Sequence, residues 1–286
     1  ARGDRAQERA IAGMVGVVYL AQLRRDDALR VLRRLITLRG VLTDPRERGS
    51  LYVALAQRRY LTGRYRGAFA MAQRAAAMPL DPTAEWFNTI LLAWIHTARG
   101  DWEVARRELD RVLARPEIVT HPFLHNVGRL MRARLSAIRG DIAGALEDAE
   151  RAEEAFGDHR MPFVRELAGV FIAYARSRAG DRAAARGWYD EVLRRTSERG
   201  GGADAPTRVQ FALDQFGWGE EAEAAREARR ALEAIDAAGD RWTLLMPWLE
   251  PHALWVLARA GDAREAHQRA LARRRAFAMP DLPFAH

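Results

Sequence analysis

One punctuating position returns along this chain at a nearly constant spacing, and nothing else in the sequence limits the possible folds so strongly. With that position taken as Leu23, Gly63, Gly100, Gly140, Gly180, Gly219 and Gly261, the gaps are 40, 37, 40, 40, 39 and 42 residues. Short turn strings surround it: Thr62-Gly63-Arg64, Arg99-Gly100-Asp101, Arg139-Gly140-Asp141, Gly180-Asp181 and Gly261-Asp262. Glycine allows the left-handed end of one helix, and an Asp after it can cap the next. Between turns, apolar residues recur at three- and four-residue spacing over ~12 to 16 residues, and no stretch alternates as a strand does. The expected fold class is therefore all-α, with about seven helical hairpins strung in series.

Small residues keep the same phase. Five residues after the turn position stand Ala28, Ala68, Ala105, Ala145, Ala185, Ala224 and Ala266. Seven before it stand Gly16, Ala56, Ala93, Ala133, Ala173 and Ala212, with Leu254 the one large member. Twelve after it come Leu35, Ala75, Val112, Ala152, Val192 and Ala231, then Arg273 as the exception. Where helices cross closely, a larger side chain would hold the backbones apart and open voids along the seam, so these columns are expected to line the helix crossings.

Val15-Gly16-x-x-Tyr19 followed by Ala28 resembles the tetratricopeptide signature, which pairs Leu-Gly-x-x-Tyr in a first helix with Ala in the second. Leu55-Ala56, Leu92-Ala93 and Phe211-Ala212 repeat its first part, and Gly63-Arg64-Tyr65 and Gly100-Asp101-Trp102 resemble its turn. The resemblance spans nearly the whole chain and implies a right-handed superhelical solenoid of helix-turn-helix repeats. The period nearer 40 than 34 and the scarcity of repeat-closing prolines depart from the family, and are similar to the arrays of bacterial maltose-regulator-type transcriptional regulators. On this view residues 1–286 form one solenoid and are expected to be a piece of a longer protein. Residues 196–206, Thr196 to Pro206, carry Gly200-Gly201-Gly202 and no apolar periodicity, and are expected to be a flexible loop. The turn Phe216-Gly217-Trp218-Gly219 leaves the phase of the sixth repeat open.

Composition excludes several kinds of chemistry. The 286 residues include no cysteine, which removes disulfides, zinc-thiolate sites and thiol nucleophiles and is compatible with a cytoplasmic location. All 46 basic residues are arginines, so no phosphate-loop lysine exists. The net charge of +8 comes from charges of alternating sign, as in Arg106-Arg107-Glu108-Leu109-Asp110-Arg111, the pattern of a solvated helix face; no nucleic-acid partner is expected. The apolar run Ile11 to Leu23 is too short to span a membrane. His121 and His125 stand four apart but lack a third ligand, and no metal or cofactor is assigned. Glu147, Asp148, Glu150, Glu153 and Glu154 share one helix, where a solvated surface is expected in preference to an acid–base pair. No catalytic residue is assigned.

Three roles stay open. The first is a non-catalytic scaffold that binds a peptide or protein in a concave groove. The second is the ligand- or protein-sensing array of a larger bacterial transcriptional regulator. The third is a cytoplasmic accessory domain of a membrane-attached protein, for which Arg273-Arg274-Arg275 before Ala276 to His286 would lie near the bilayer. By resemblance to the family, one face of each first helix lines the groove. Six residues before the turn that face carries Gln57, Trp94, Arg134, Tyr174, Leu213 and Trp255, with Tyr60 and Phe216 three before it. Rings with an arginine among them suit a peptide that carries apolar and acidic residues. Oligomeric state is not legible.

Overall fold

The computed structural model of the chain describes residues 27, 29–33, 44–62, 64–157, 162–198, 200, 202–239, 246, 248–264 and 266–269. The first-hairpin positions Gly16, Tyr19, Leu23, Ala28 and Leu35, the turn residue Gly63, and Arg273 to His286 lie outside the described residues. Among those described, the helices run in order as α1 (Pro45–Leu61), α2 (Tyr65–Ala76), α3 (Pro82–Ala98), α4 (Trp102–Leu113), the short α5 (Pro116–Val119), α6 (Pro122–Arg139), α7 (Ile142–Phe156), α8 (Pro162–Arg178), α9 (Arg182–Ser197), α10 (Ala205–Gly217), α11 (Glu221–Ala238) and α12 (Leu249–Leu257). No strand occurs among these residues, and none of these helices is long and apolar enough to cross a membrane.

Helix boundaries follow from local chemistry. Asp44 and Asp81 stand before prolines, whose fixed φ suits a first helical turn; their carboxylates accept from Arg46 N and Ala84 N, both at 2.9 Å. Asp141 and Asp181, each following a turn glycine, accept at 3.0 Å from Gly144 N and Ala184 N. Asp101 was expected to do the same and does not cap. Its Oδ2 lies 3.2 Å from His96 Nδ1 and 3.2 Å from Arg99 Nε, so an ion pair has taken the carboxylate away from the helix end. The turn glycines Gly100, Gly140, Gly180, Gly219 and Gly261 have φ of +80°, +84°, +83°, +84° and +102°, which only glycine adopts without strain. Gly219 in this conformation settles the phase of the sixth repeat.

The chain divides into two compact units, with the division between Gly128 and Arg129. In the first, α1 pairs with α2 and α3 with α4, α2 packs on α3, and α5 fills in against α3 and α4. Trp86, Val112, Leu113, Ile118 and Leu124 form a core cluster there. In the second unit α8 packs against α7, α9 and α10, while α10, α11 and α12 pack on one another.

The columns of small residues are the helix seams. Ala68, Ala105, Ala145, Ala185, Ala224 and Ala266 are all buried, as are Ala56, Ala93, Ala133, Ala173, Ala212 and Leu254. Ala75, Val112, Ala152, Val192 and Ala231 are buried to the last atom. Arginine pairs join one hairpin to the next. Arg195 of α9 reaches Glu153 of α7 at 3.1 Å, Arg186 pairs with Glu220, Arg229 with Asp262, and Arg269 with Asp236 at 2.9 Å.

Two expectations gain detail from the structure. The acidic helix face is only partly solvated: Asp148 is buried, with Arg132 Nε 2.6 Å and Nη2 2.8 Å from its two oxygens, and Glu153 takes Arg165 at 2.9 Å as well as Arg195. Glu147, Glu150 and Glu154 stay exposed, while Asp148 and Glu153 turn toward neighbouring helices, where the fork geometry of arginine satisfies the buried carboxylate. The segment Thr196 to Pro206 is also less open than its composition suggests. Thr196 and Ser197 end α9, Ala205 and Pro206 begin α10, and Thr196, Gly202, Ala205 and Pro206 are buried. Gly202 (φ +74°) presses on α11, where an added Cβ would stand 2.0 Å from the Ala234 carbonyl oxygen. Glycine there serves as a contact, a use that composition reads as looseness.

Candidate functional site

The first-helix face is set by helical spacing. Positions six, three and two before the turn lie on one side of α6, α8, α10 and α12, because the seven-before column already faces the seam. In the second unit these columns carry Arg134, Tyr174, Ser177, Arg178, Leu213, Phe216, Trp255 and Arg259, together with Ala137, which is buried in the core, and Ile138, Gly217 and Ala258.

Trp255 is 48% exposed, the most open ring among the described residues of the second unit, and Phe216 meets it edge-on at 5.2 Å between ring centroids. Tyr174 is half-buried on α8. Burial raises the pKa of its hydroxyl, Arg178 and Arg134 oppose that rise, and Asp214 adds to it, which places all four groups within electrostatic reach. Asp214 sits one residue beyond Leu213, buried, accepting from the Tyr189 hydroxyl at 2.6 Å, from Ser177, and from Gln210 at 3.4 Å. Burial pushes its carboxyl up to about 6 in spite of those donors.

The guanidinium carbon of Arg134 lies 5.1 Å from the ring centroid of Trp248, the residue at the N-cap position of α12. One turn further along α12, His252 is held down to about 4, chiefly by burial and further by the charge of Arg134. The imidazole is therefore neutral at pH 7. This corner of the second unit thus brings α6, α8, α10 and α12 together around two arginines, a buried carboxyl shared among three donors, and a neutral histidine.

In the first unit the same columns fall differently. Gln57 is half-buried on α1 and Trp94 half-buried on α3. Tyr60 is only 8% exposed, with Tyr65 edge-on at 5.2 Å and Trp94 at 6.4 Å, so its ring packs the hairpin and does not stand open to a partner. The structure therefore groups the chosen residues as Tyr60 with Trp94, Arg134 with Tyr174, and Phe216 with Trp255. Asp214, Tyr189, Ser177, Arg178, Trp248 and His252 escaped sequence reasoning. Asp214 did leave a trace: five before the turn, the other hairpins of this unit carry Leu135, Ala175 and Val256, and an acid in an apolar column calls for local donors. Trp248 left none, because its partner is 114 residues away in sequence.

His121 Nδ1 accepts from Leu124 N at 3.4 Å and so caps α6. Among the described residues no group of three or more metal-ligating side chains occurs.

No family model and no curated protein matches the sequence. Among solved structures, the chain is similar to a Rap protein complexed with competence and sporulation factor, with a TM-score of 0.73 at 11% identity over 95% of this chain and 77% of that one. Agreement over so much of the chain at so low an identity bears on architecture alone: the protein is an all-α helical-repeat solenoid of tetratricopeptide-like hairpins.

Proposed function

We propose that this chain is a non-catalytic scaffold that docks a peptide or protein segment on the first-helix face of its second unit, through Phe216, Trp255, Tyr174 and Arg134. The observation that carries this proposal is Trp255, an indole left 48% exposed at the position where a docking face is expected. Burying a ring of this size is a large source of binding energy at small entropic cost, and Trp255 stands beside a second ring, Phe216, whereas the exposed Trp102 lies outside these columns. The similar Rap structure, complexed with competence and sporulation factor, supports a binding role for such an array. Gln57 and Trp94 of the first unit belong to the same proposal as half-buried members of the corresponding columns, whereas Tyr60 is given a packing role. The absence of cysteine is compatible with the cytoplasm.

Peptides selected from a displayed random library on the wild-type chain test this directly. Trp255→Ala should weaken the selected peptides by ~2 kcal/mol, about thirtyfold, while the melting temperature stays within a degree or two, since an exposed ring contributes little to the fold. If selected peptides bind the Trp255→Ala and Phe216→Ala variants as tightly as the parent, the docking face lies elsewhere.

A further inference from the structure

We propose that the turn edge of the first unit, where the α1–α2 turn lies beside the α3–α4 turn, binds single-stranded nucleic acid: arginines of the first turn take phosphates, and the exposed indole of Trp102 stacks a base. These residues are not those of the docking face, and the two roles are independent. Charge is unevenly distributed along the chain. Residues 1–80 hold 16 arginines against 6 acids, whereas residues 81–286 hold 30 against 32, so the whole excess of +8 arises in the first part. The alternation of sign that speaks against nucleic acid describes the later hairpins and fails here.

The α1–α2 turn concentrates that excess. Past residue 80 the residue after each turn glycine is an acid, in order Asp101, Asp141, Asp181, Glu220 and Asp262; here it is Arg64. Antiparallel pairing brings Arg58 and Arg59, in the last turn of α1, to Arg64 and Arg66 at the start of α2. Arg58, Arg64 and Arg66 are exposed, and among the described residues no ion pair holds Arg58 or Arg64. Arg59 lies over the start of α2, its Nη1 3.4 Å from the Gly67 carbonyl oxygen, where an added Cβ at Gly67 would stand 2.8 Å from that nitrogen.

Side chains tie this turn to the next one. Phe69, one turn into α2, meets His96 edge-on at 5.4 Å between ring centroids, and the guanidinium carbon of Arg99 lies 5.0 Å from the same ring. His96 and Arg99 in turn hold Asp101, each at 3.2 Å, so the acid of the second turn is already engaged. The residue after it, Trp102, is 41% exposed, and Glu103 beside it is the other acid of that turn. The fold thus sets an open indole near arginines some forty positions earlier in the chain, a neighbourhood that no single segment of sequence displays.

Guanidiniums alone would suit any polyanion, and the ring decides among them. A protein segment draws its affinity from several apolar anchors, yet the described residues of α1 and α2 expose no large apolar side chain. One flat ring rimmed by cations matches a base with its flanking phosphates, and because every base has a π-face little sequence preference is expected. In a duplex those faces are already stacked, which leaves Trp102 without a target.

Fluorescence anisotropy of the full chain with a labelled oligothymidylate of about sixteen nucleotides gives the affinity and its salt dependence. Binding at low ionic strength is expected, weaker for a duplex of equal length. Arg58→Gln with Arg64→Gln should reduce the slope of log affinity against log salt by about 1.4, two phosphate contacts at ~0.7 each. Trp102→Ala should weaken binding roughly tenfold with that slope unchanged, and Trp102→Phe, which keeps a ring, should recover most of the loss. Arg151→Gln with Arg226→Gln removes the same charge from exposed positions of the second unit and should alter neither quantity. Equal weakening by this second pair would reduce the effect to net charge and overturn the site. Unchanged affinity in Trp102→Ala overturns base stacking and with it the choice of nucleic acid. If the oligonucleotide fails to bind, the proposal falls, and phosphatidylglycerol vesicles or polyglutamate that bind the parent but not Arg58→Gln with Arg64→Gln would assign the edge to a membrane or an acidic protein instead.

Discussion

At the scale of single residues, two groups in the second unit titrate outside their ordinary ranges with opposite consequences for stability. His252 is held at about 4 in the fold against an ordinary 6.5, so between those values the unfolded chain binds the proton and the folded chain does not. Its contribution is complete above pH 6.5 and is lost as pH falls through 4. Asp214, raised from 3.8 to about 6, is the reverse case: the fold prefers the protonated acid, and stability is lost as pH rises through 6. The two trends oppose each other between pH 4 and 6, so the parent alone would show a shallow profile there. His252→Gln, which cannot be protonated, separates them. Its melting temperature relative to the parent should rise steadily on acidification from pH 6.5 to 4, by an amount equivalent to ~1–3 kcal/mol at the acid end. A difference that stays constant with pH would show that His252 does not spend its folded life neutral.

At the scale of elements, the connection between α9 and α10 makes the sharpest forecast. Gly200 (φ +61°) has no atom within 4 Å of an added Cβ, while at Gly202 that Cβ would collide with the Ala234 carbonyl at 2.0 Å. Gly200→Ala should therefore cost only left-handed backbone strain, ~1 kcal/mol, and Gly202→Ala should add an overpacking penalty of ~1–3 kcal/mol. Equal melting temperatures for the two variants would mean that the Gly202 approach to α11 is not tight. The same connection shows what sequence could and could not reveal. The hairpins were legible because close helix crossing admits few side chains, and a requirement repeated seven times at one phase stands out in a single sequence. Gly202 belongs to one contact made once, and periodicity has no purchase on it. Asp148 was misjudged for a related reason, since it follows the charge pattern of an open face and its burial depends on Arg132 arriving from the previous helix. The docking columns were legible as columns, but Tyr60 went to packing and Trp255 to solvent on differences in neighbours that the phase does not encode.

At the scale of the whole molecule, serial hairpins imply damage that spreads by adjacency. In such arrays each hairpin's stability is its own plus that of its interfaces, so a lesson in one is felt first by the next. Ala145→Arg forces a long charged side chain into a fully packed seam of α7 and should destabilise by several kcal/mol, on the order of 3 or more, whereas Ala143→Arg on the exposed side of that helix should be nearly silent. Hydrogen exchange in the Ala145→Arg chain should quicken in α6 and α8 well before it quickens in α11. Uniform acceleration across all helices would indicate one all-or-none transition and contradict the serial picture. The pairs that join hairpins, Arg195 to Glu153, Arg186 to Glu220, Arg229 to Asp262 and Arg269 to Asp236, have one further consequence. Each is anchored by a guanidinium, and with no lysine side chain in 286 residues the protein presents no ε-amine to acetyl-, methyl- or ubiquitin-transferring enzymes, nor to amine-directed cross-linkers. Covalent tuning of these joints on their cationic side would have to come through arginine chemistry, and a reagent such as phenylglyoxal would map as protected the arginines that hold one hairpin to the next.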